Sequence, residues 1–261
     1  MPFGQQIILA IPPIPLAIII VIISMIISIG GILLVRYFIP HKRLKVHNDV
    51  AGPIFATLGV IYAVLLAFVV VITWENFDRS SLNAEKEASF VADLYTDAEA
   101  FQEPAKEQIR ALLKAYATSV INVEWKALST GAASQEVGGI LKKIWRFYST
   151  YNPETAAQTE FFRESVHKLN EVGELRRIRI VDAKNGVHPI LWFVLIAGGI
   201  ITLSFSFFFG TENLMEQLIL TSLLSVLIGL ILFTILELDY PFTGQVSIQP
   251  TAMYQMLNFG K

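Results

Sequence analysis

The stretch PIFATLGVIYAVLLAFVVVITW, residues 53–74, holds no charged side chain and runs directly into ENFDRSSLNAEKEA, residues 75–88, which is rich in charge. A helix needs about 20 apolar residues to cross a hydrocarbon layer roughly 30 Å thick, so 53–74 has the length of one membrane span. Three further apolar runs have similar length: residues 16–38, 189–209 and 214–236. The spacing predicts an all-α, four-span integral membrane protein, with spans one and two separated from spans three and four by a helical insert.

Composition agrees with this reading. Of 261 residues, 54% are hydrophobic and 16% charged, whereas soluble domains carry about a quarter charged residues. An ordinary cytosolic enzyme is excluded on that ground. Net charge is −2, so there is no overall basic field of the kind nucleic-acid binding uses. Cys is absent, which removes disulfides, thiolate catalysis and Cys-based zinc sites. No Walker loop, GxSxG elbow or HExxH motif is present, and neither an enzymatic activity nor a cofactor is expected.

Outward from span two the chain divides into an N-terminal part with spans one and two (1–74), a soluble insert (75–188), a hairpin of spans three and four (189–237) and a tail (238–261). The start of the chain has no Lys or Arg before its apolar run, so 16–38 reads as a true span and not a removable signal. Pro12, Pro13 and Pro15 predict a bent or interfacial entry to it. Trp74 and Trp192 suit the membrane interface. Orientation is undecided by charge: Arg36, Lys42, Arg43 and Lys45 lie on the first short loop, against six bases on the insert near the spans.

In the insert, Phe77, Ala84, Val91 and Ala98 recur every seven residues, joined by Ala88 and Tyr95, and continue span two as a helix. A second helix opens at Pro104 and faces inward through Ile109, Leu112, Leu113, Tyr116, Val120 and Val123. A third follows Ser134, and Asn152-Pro153-Glu154 reads as the cap and first turn of a fourth. Residues 75–107 carry nine acids and three bases, while 108–188 carry eight acids and twelve bases. The two halves pair within or between copies, or simply form solvated faces.

Candidate sites are few. Glu160, Glu164, His167 and Glu171 share one helix face and include a Glu-x-x-His unit of the kind used by di-iron bundles, but one copy is half a site. Asp93 and Asp97 do not complete it, and helix-surface ion pairs are the simpler reading. His41, His47 and Asp49 form a weaker candidate. Glu237 and Asp239 close span four and suit either a cation or the headgroup layer. No span carries a charge near its middle, which argues against proton-relay transport. Span two presents a small-residue face, Gly52, Ala56, Gly59, Ala63 and Ala67, suited to close helix packing. Beside it, Phe55, Leu58, Tyr62, Leu66 and Val69 form a bulky stripe that is the candidate lining of a pore.

The segments HNDVAGPIFATLGVIYAVLLAFVVVITWENF (47–77) and LDYPFTGQVSIQP (238–250), with the two-plus-two layout and Arg176, Arg177 and Arg179 before span three, resemble the bestrophin-like family of four-span bacterial and plant proteins. The resemblance implies a pentameric, anion-selective channel in the cell membrane. It further implies that span two lines the axis, with Phe55, Leu58, Tyr62 and Leu66 as constriction candidates, and that the insert and both termini are cytoplasmic. The expected partners are the lipid bilayer, inorganic ions and further copies of the chain. A non-conducting sensor or scaffold, its insert binding a partner, explains the charge-free spans equally well.

Overall fold

The structure is a computed structural model that describes residues 1–40, 44 and 48–258. His41 and His47 lie outside the described residues, as do Lys42, Arg43 and Lys45. The order of helices is α1 (Phe3–Ala10), α2 (Pro13–Phe38), α3 (Asn48–Asp97), α4 (Ala105–Ser119), α5 (Trp125–Leu128), α6 (Gln135–Thr150), α7 (Ala156–Asp182), α8 (Pro189–Phe207), α9 (Leu214–Leu238) and α10 (Thr251–Asn258). No strand occurs among the described residues. Four of these helices, α2, α3, α8 and α9, are long and apolar enough to cross a membrane. The tertiary contacts divide the chain into two compact units.

One unit comprises residues 7–75 and 187–239. Its helices approach closely where a side chain is missing. A Cβ on Gly229 would stand 2.5 Å from the Ser24 hydroxyl, and one turn earlier Ser225 Oγ donates to the Ser24 carbonyl at 2.8 Å, so α9 lies tightly along α2. Tyr62 of α3 uses the same device on α8. Its ring fills the space over Gly198, where a Cβ would lie 2.6 Å away, and its hydroxyl donates to the Leu195 carbonyl at 2.8 Å. Leu66, Val69, Leu195, Ile228 and Ile235 complete this core.

The turn between α8 and α9 is held by two polar side chains. Arg36, in the last turn of α2, donates through Nη2 to the Thr211 carbonyl at 2.8 Å and to Gln217 Oε1 at 2.7 Å. Asn48 grips Gly210 at both backbone groups, at 2.8 Å and 3.1 Å. These side chains pair with backbone groups of the turn that lie outside the helical ladders. The outer surface of α2 remains apolar: Ile19, Ile22, Ile23, Ile26, Ile27, Leu33 and Leu34 are all exposed. A surface of that kind is matched by lipid or by another apolar surface.

The other unit comprises residues 1–6, 76–186 and 240–261. Val91 and Leu94 of α3, with Ala98 just past its end, pack with Ile109, Leu113 and Tyr116 of α4, Val137 and Ile144 of α6, and Leu169 and Val172 of α7. The C-terminal segment belongs to this core through Met253 and Met256. Gln5 Nε2 donates to Thr243 Oγ1 at 3.0 Å and to the Ser129 carbonyl at 3.2 Å, which ties α1, the C-terminal segment and the α5–α6 loop together.

Two of the expected helix details change. Ser134 does cap α6, accepting from Val137 N at 3.3 Å. However, α7 starts at Ala156, and its cap is Thr155, which accepts from Gln158 N at 3.1 Å while the Gln158 side chain accepts from Glu154 N at 2.8 Å. Asn152-Pro153-Glu154 therefore precedes the helix, and the operative signal is the Thr-x-x-Gln of 155–158. Val123, expected to face inward, is exposed. The reason is a π-helical turn, Val120–Glu124, whose wider spacing rotates the following residues and places Glu124 inside.

That rotation completes a buried ion network. Glu87 of α3 accepts from Arg179 Nε at 2.7 Å, from Arg179 Nη2 at 2.9 Å and from the Tyr116 hydroxyl at 2.7 Å. Glu124 accepts from Arg179 Nη2 at 3.0 Å, from Arg176 Nη2 at 2.5 Å and from Ser134 N at 3.3 Å. Glu87, Glu124 and Arg179 have no exposed surface. The Arg179 guanidinium also stacks on Trp125, 4.9 Å from the ring centre. Burial alone would weaken the guanidinium's hold on its proton, but the Glu87 carboxylate reverses this and keeps Arg179 charged. Burial, joined by Glu87, pushes the Tyr116 phenol well up, so it remains a donor. The acidic and basic halves of the insert thus pair within one chain, as they also do at Asp97–Lys168 (2.9 Å).

Removing one partner from a buried pair costs about 3–5 kcal/mol because the other charge is left uncompensated. Glu87→Ala is therefore expected to lower the thermal midpoint in detergent sharply, while Glu85→Ala, at an exposed position on the same helix, leaves it in place; equal midpoints for the two variants would contradict the network. Tyr62→Ala opens a cavity against Gly198 that costs about 2–4 kcal/mol, and Tyr62→Phe loses only the hydroxyl bond, about 1 kcal/mol. Thermal unfolding in detergent checks this order, and a harmless Tyr62→Ala would show that the ring does not fill the interhelix space.

Candidate functional site

Among the described residues the candidate with the clearest geometry is α3. At about 100° per residue, Pro53, Thr57, Val60, Ile61, Val64, Ala67, Phe68 and Val71 fall within roughly 60° of one line along the helix, and every one is exposed. The same line continues through Glu75, Asp78, Arg79, Leu82, Glu85, Lys86, Ser89, Asp93 and Thr96, again all exposed. The opposite face carries Tyr62, Leu66, Val69, Thr73, Ser80, Ala84, Glu87 and Val91, all buried. One register thus separates a covered face from a bare one from Pro53 to Thr96.

The bare face is apolar to Val71 and ionic from Glu75 onward. Val60 is 63% exposed, Val64 49%, Phe68 65% and Val71 51%. Water does not cover such side chains favourably, and they form a continuous stripe instead of scattered single residues.

The residues singled out from the sequence separate into these two faces. Tyr62, Leu66 and Val69 are 5–6% exposed and packed within the chain. Phe55 stacks on Phe205 at 5.6 Å and meets Phe209 edge-on at 5.3 Å. Leu58 lines a groove of about 660 Å³ between α3 and α8, shared with Ile61, Tyr62, Leu65, Phe193 and Gly198. Phe55, Tyr62, Leu66 and Val69 are thus engaged within one copy, whereas Leu58 borders an open groove together with Thr57 and Ile61 of the bare stripe. Of the small stripe, Ala56, Ala63 and Ala67 are exposed, and a Cβ built on Gly52 or Gly59 would meet nothing within 4 Å. Within one chain, helix packing is made by the bulky stripe, and the small stripe stands open.

The carboxylate candidates are accounted for differently. Asp239 accepts from Val187 N through Oδ1 and from Trp192 Nε1 through Oδ2, the latter at 3.3 Å. Glu237 is buried with neither carboxylate oxygen bonded. Glu160 pairs with Arg163 at 3.5 Å and Glu164 with Lys168 at 3.9 Å, and His167 is exposed. Asp97 is taken by Lys168 and Ser165, at 2.9 Å and 3.4 Å. Among the described residues no three His, Asp or Glu side chains are grouped to hold a metal ion, and the Glu160, Glu164, His167 and Glu171 stripe is a helix surface carrying ion pairs.

Comparison with known proteins places this architecture. The chain resembles the crystal structure of a bacterial bestrophin homologue from Klebsiella pneumoniae with a TM-score of 0.67 and 16% identity, over 93% of this chain and 96% of that one. A single-residue variant of that homologue gives 0.68 and 15%, over 92% and 97% of the two chains. A further crystal structure, described only as a membrane protein variant, gives 0.69 and 14%, over 93% and 96%. At these identities the likeness is one of fold. No curated protein gives a significant match. The Bestrophin-like domain matches residues 22–253, which takes in the greater part of all four spans and the whole insert, and the chain belongs to the Bestrophin-like domain family.

Proposed function

We propose that the chain is the subunit of an oligomeric ion channel in which the bare face of α3 lines the permeation path. The observation that carries this reading is the single register of α3, bare from Pro53 to Thr96 and covered on the opposite side. A path for ions needs a surface that one copy leaves open and several copies around an axis enclose. Val60, Val64, Phe68 and Val71 then form an apolar constriction that gates by dewetting, and these replace Phe55, Leu58, Tyr62, Leu66 and Val69 in that role.

Along one edge of the bare stripe, Ala67 and, beside it, Ala56 and Ala63 with Gly52 and Gly59 provide the flank on which α3 of a neighbouring copy packs closely. The pentamer implied by the family resemblance suits this division into a lining stripe and a packing flank. Glu75 and Asp78 stand at the mouth of the constriction, and past them the ionic part of the stripe faces a wider vestibule formed by the insert, placed in the cytoplasm with both termini. The first charges met beyond the constriction are carboxylates, which do not favour the anions that the resemblance implies.

Planar-bilayer recording of the purified protein tests the proposal. Phe68→Ala and Val64→Ser are expected to raise unitary conductance or open probability on the order of twofold or more, since each widens or wets the constriction. Absence of conductance at every voltage, pH and calcium concentration, with a monomeric mass in detergent, would overturn the channel in favour of a scaffold. Currents unchanged by either substitution would move the constriction off this stripe.

A further inference from the structure

The bare stripe of α3 also bears on which ions pass. From Pro53 to Val71 it offers no charge, and the first ionic side chain on it is Glu75, one turn or about 6 Å past Val71. Asp78 comes one turn later on the same line. Both side chains are exposed, and neither makes a hydrogen bond or ion pair with another described residue. Their fields are therefore directed to whatever occupies the space in front of the stripe.

Of the nearby cations Arg79, about 6 Å along the helix from Glu75, offsets one of the two carboxylates, which leaves a net negative charge from each copy at this level. Arg79 lies at the edge of the stripe and turns its guanidinium to Asn76 Oδ1 at 3.2 Å. It also acts on Asp182 of α7, where its charge partly offsets the upward push of burial on that carboxyl. Lys86 is on the stripe, but about 16 Å beyond Glu75 along the helix. That is about twice the Debye length at physiological salt, roughly 8 Å, so Lys86 does not neutralise the mouth of the apolar segment.

We infer that Glu75, seconded by Asp78, determines the charge selectivity of the path, and that the ion it admits is a small inorganic cation such as K⁺ or Na⁺. The inference rests on the reading of α3 as the pore-lining helix. In an assembly around an axis, each copy contributes one Glu75, and the copies together make a ring of carboxylates at the insert-side end of the constriction. Such rings concentrate cations and repel anions, as Arg or Lys rings do the reverse. The position matters more than the total charge, because an ion is most weakly hydrated, and responds most strongly to a fixed charge, where the path is narrow and poorly screened.

The test is the reversal potential of the full-length oligomer in planar bilayers under a tenfold KCl gradient. Wild type is expected to reverse on the K⁺ side of zero, Glu75→Gln closer to zero, and Glu75→Lys on the Cl⁻ side. Glu75 is exposed and unpaired among the described residues, so the Lys variant is expected to assemble as wild type does; if it does not, the nearly isosteric Gln variant carries the comparison. Wild-type currents that reverse on the Cl⁻ side overturn the cation assignment while leaving the channel in place. Reversal potentials identical in all three proteins overturn the role of Glu75. A wild type that conducts nothing overturns the channel itself, and this inference with it.

Discussion

A helix of fifty residues in one register ties distant positions to each other. In α3, Tyr62, Leu66, Val69 and Thr73 are buried in the unit of residues 7–75 and 187–239, and Ser80, Ala84, Glu87 and Val91 in the unit that holds residues 76–186, each set at three- and four-residue spacing. The complementary face is left bare for an equal length. No proline or π turn interrupts the register between Ile54 and Asp97, since the one proline inside the helix, Pro53, lies in its first turns. The register decides which apolar residues pack inside a copy, which are left for partners, and where the first ionic side chain falls.

The register is fixed on the polar side by an electrostatic constraint. Glu87 has no exposed surface, and a buried carboxylate without a partner is costly. Arg179 meets it with two bonds, and the π turn brings Glu124 to the Nη2 of the same guanidinium. Rotating α3 by one residue would take Glu87 out of reach and expose Val91. The network adds specificity more than net stability, since well-packed apolar side chains of equal volume often stabilise as much. It joins α3 to α7.

Much of the fold was legible because the signals were of the kind sequence displays directly. Four apolar runs of span length with no charge near their middles, the Ser134 cap and the seven-residue recurrence of Ala84, Val91 and Ala98 all report local chemistry, and each appears in the structure. The covered face of span two was not legible. In a soluble helix polarity marks the outside, but here both faces are apolar, and size does not say which face a single copy covers: the bulky Tyr62 and Leu66 pack inward, Tyr62 onto glycine, while Ala63 and Ala67 stay open. The partner glycines, Gly198 and Gly199, are far from Tyr62 in the chain, and nothing local links them to it. The Glu87–Arg179–Glu124 network was hidden for a related reason. Its members sit in runs that read as solvated charge, and only the π turn at Val120–Glu124 turns Glu124 inward. The place of Met253 and Met256 in the core likewise left no mark in a segment that reads as a short tail.

The chain contains no cysteine, which permits a direct examination of α3 in the assembled protein. Single substitutions such as Val60→Cys, Val64→Cys, Phe68→Cys, Val71→Cys and Glu75→Cys, set against Tyr62→Cys, Leu66→Cys and Val69→Cys, would be treated in proteoliposomes with a small charged thiol reagent. If the bare face lines an aqueous path, modification follows its three- and four-residue spacing, is fastest at Glu75→Cys and alters the current. Reaction confined to the Tyr62, Leu66 and Val69 positions, or none on either face, would contradict it.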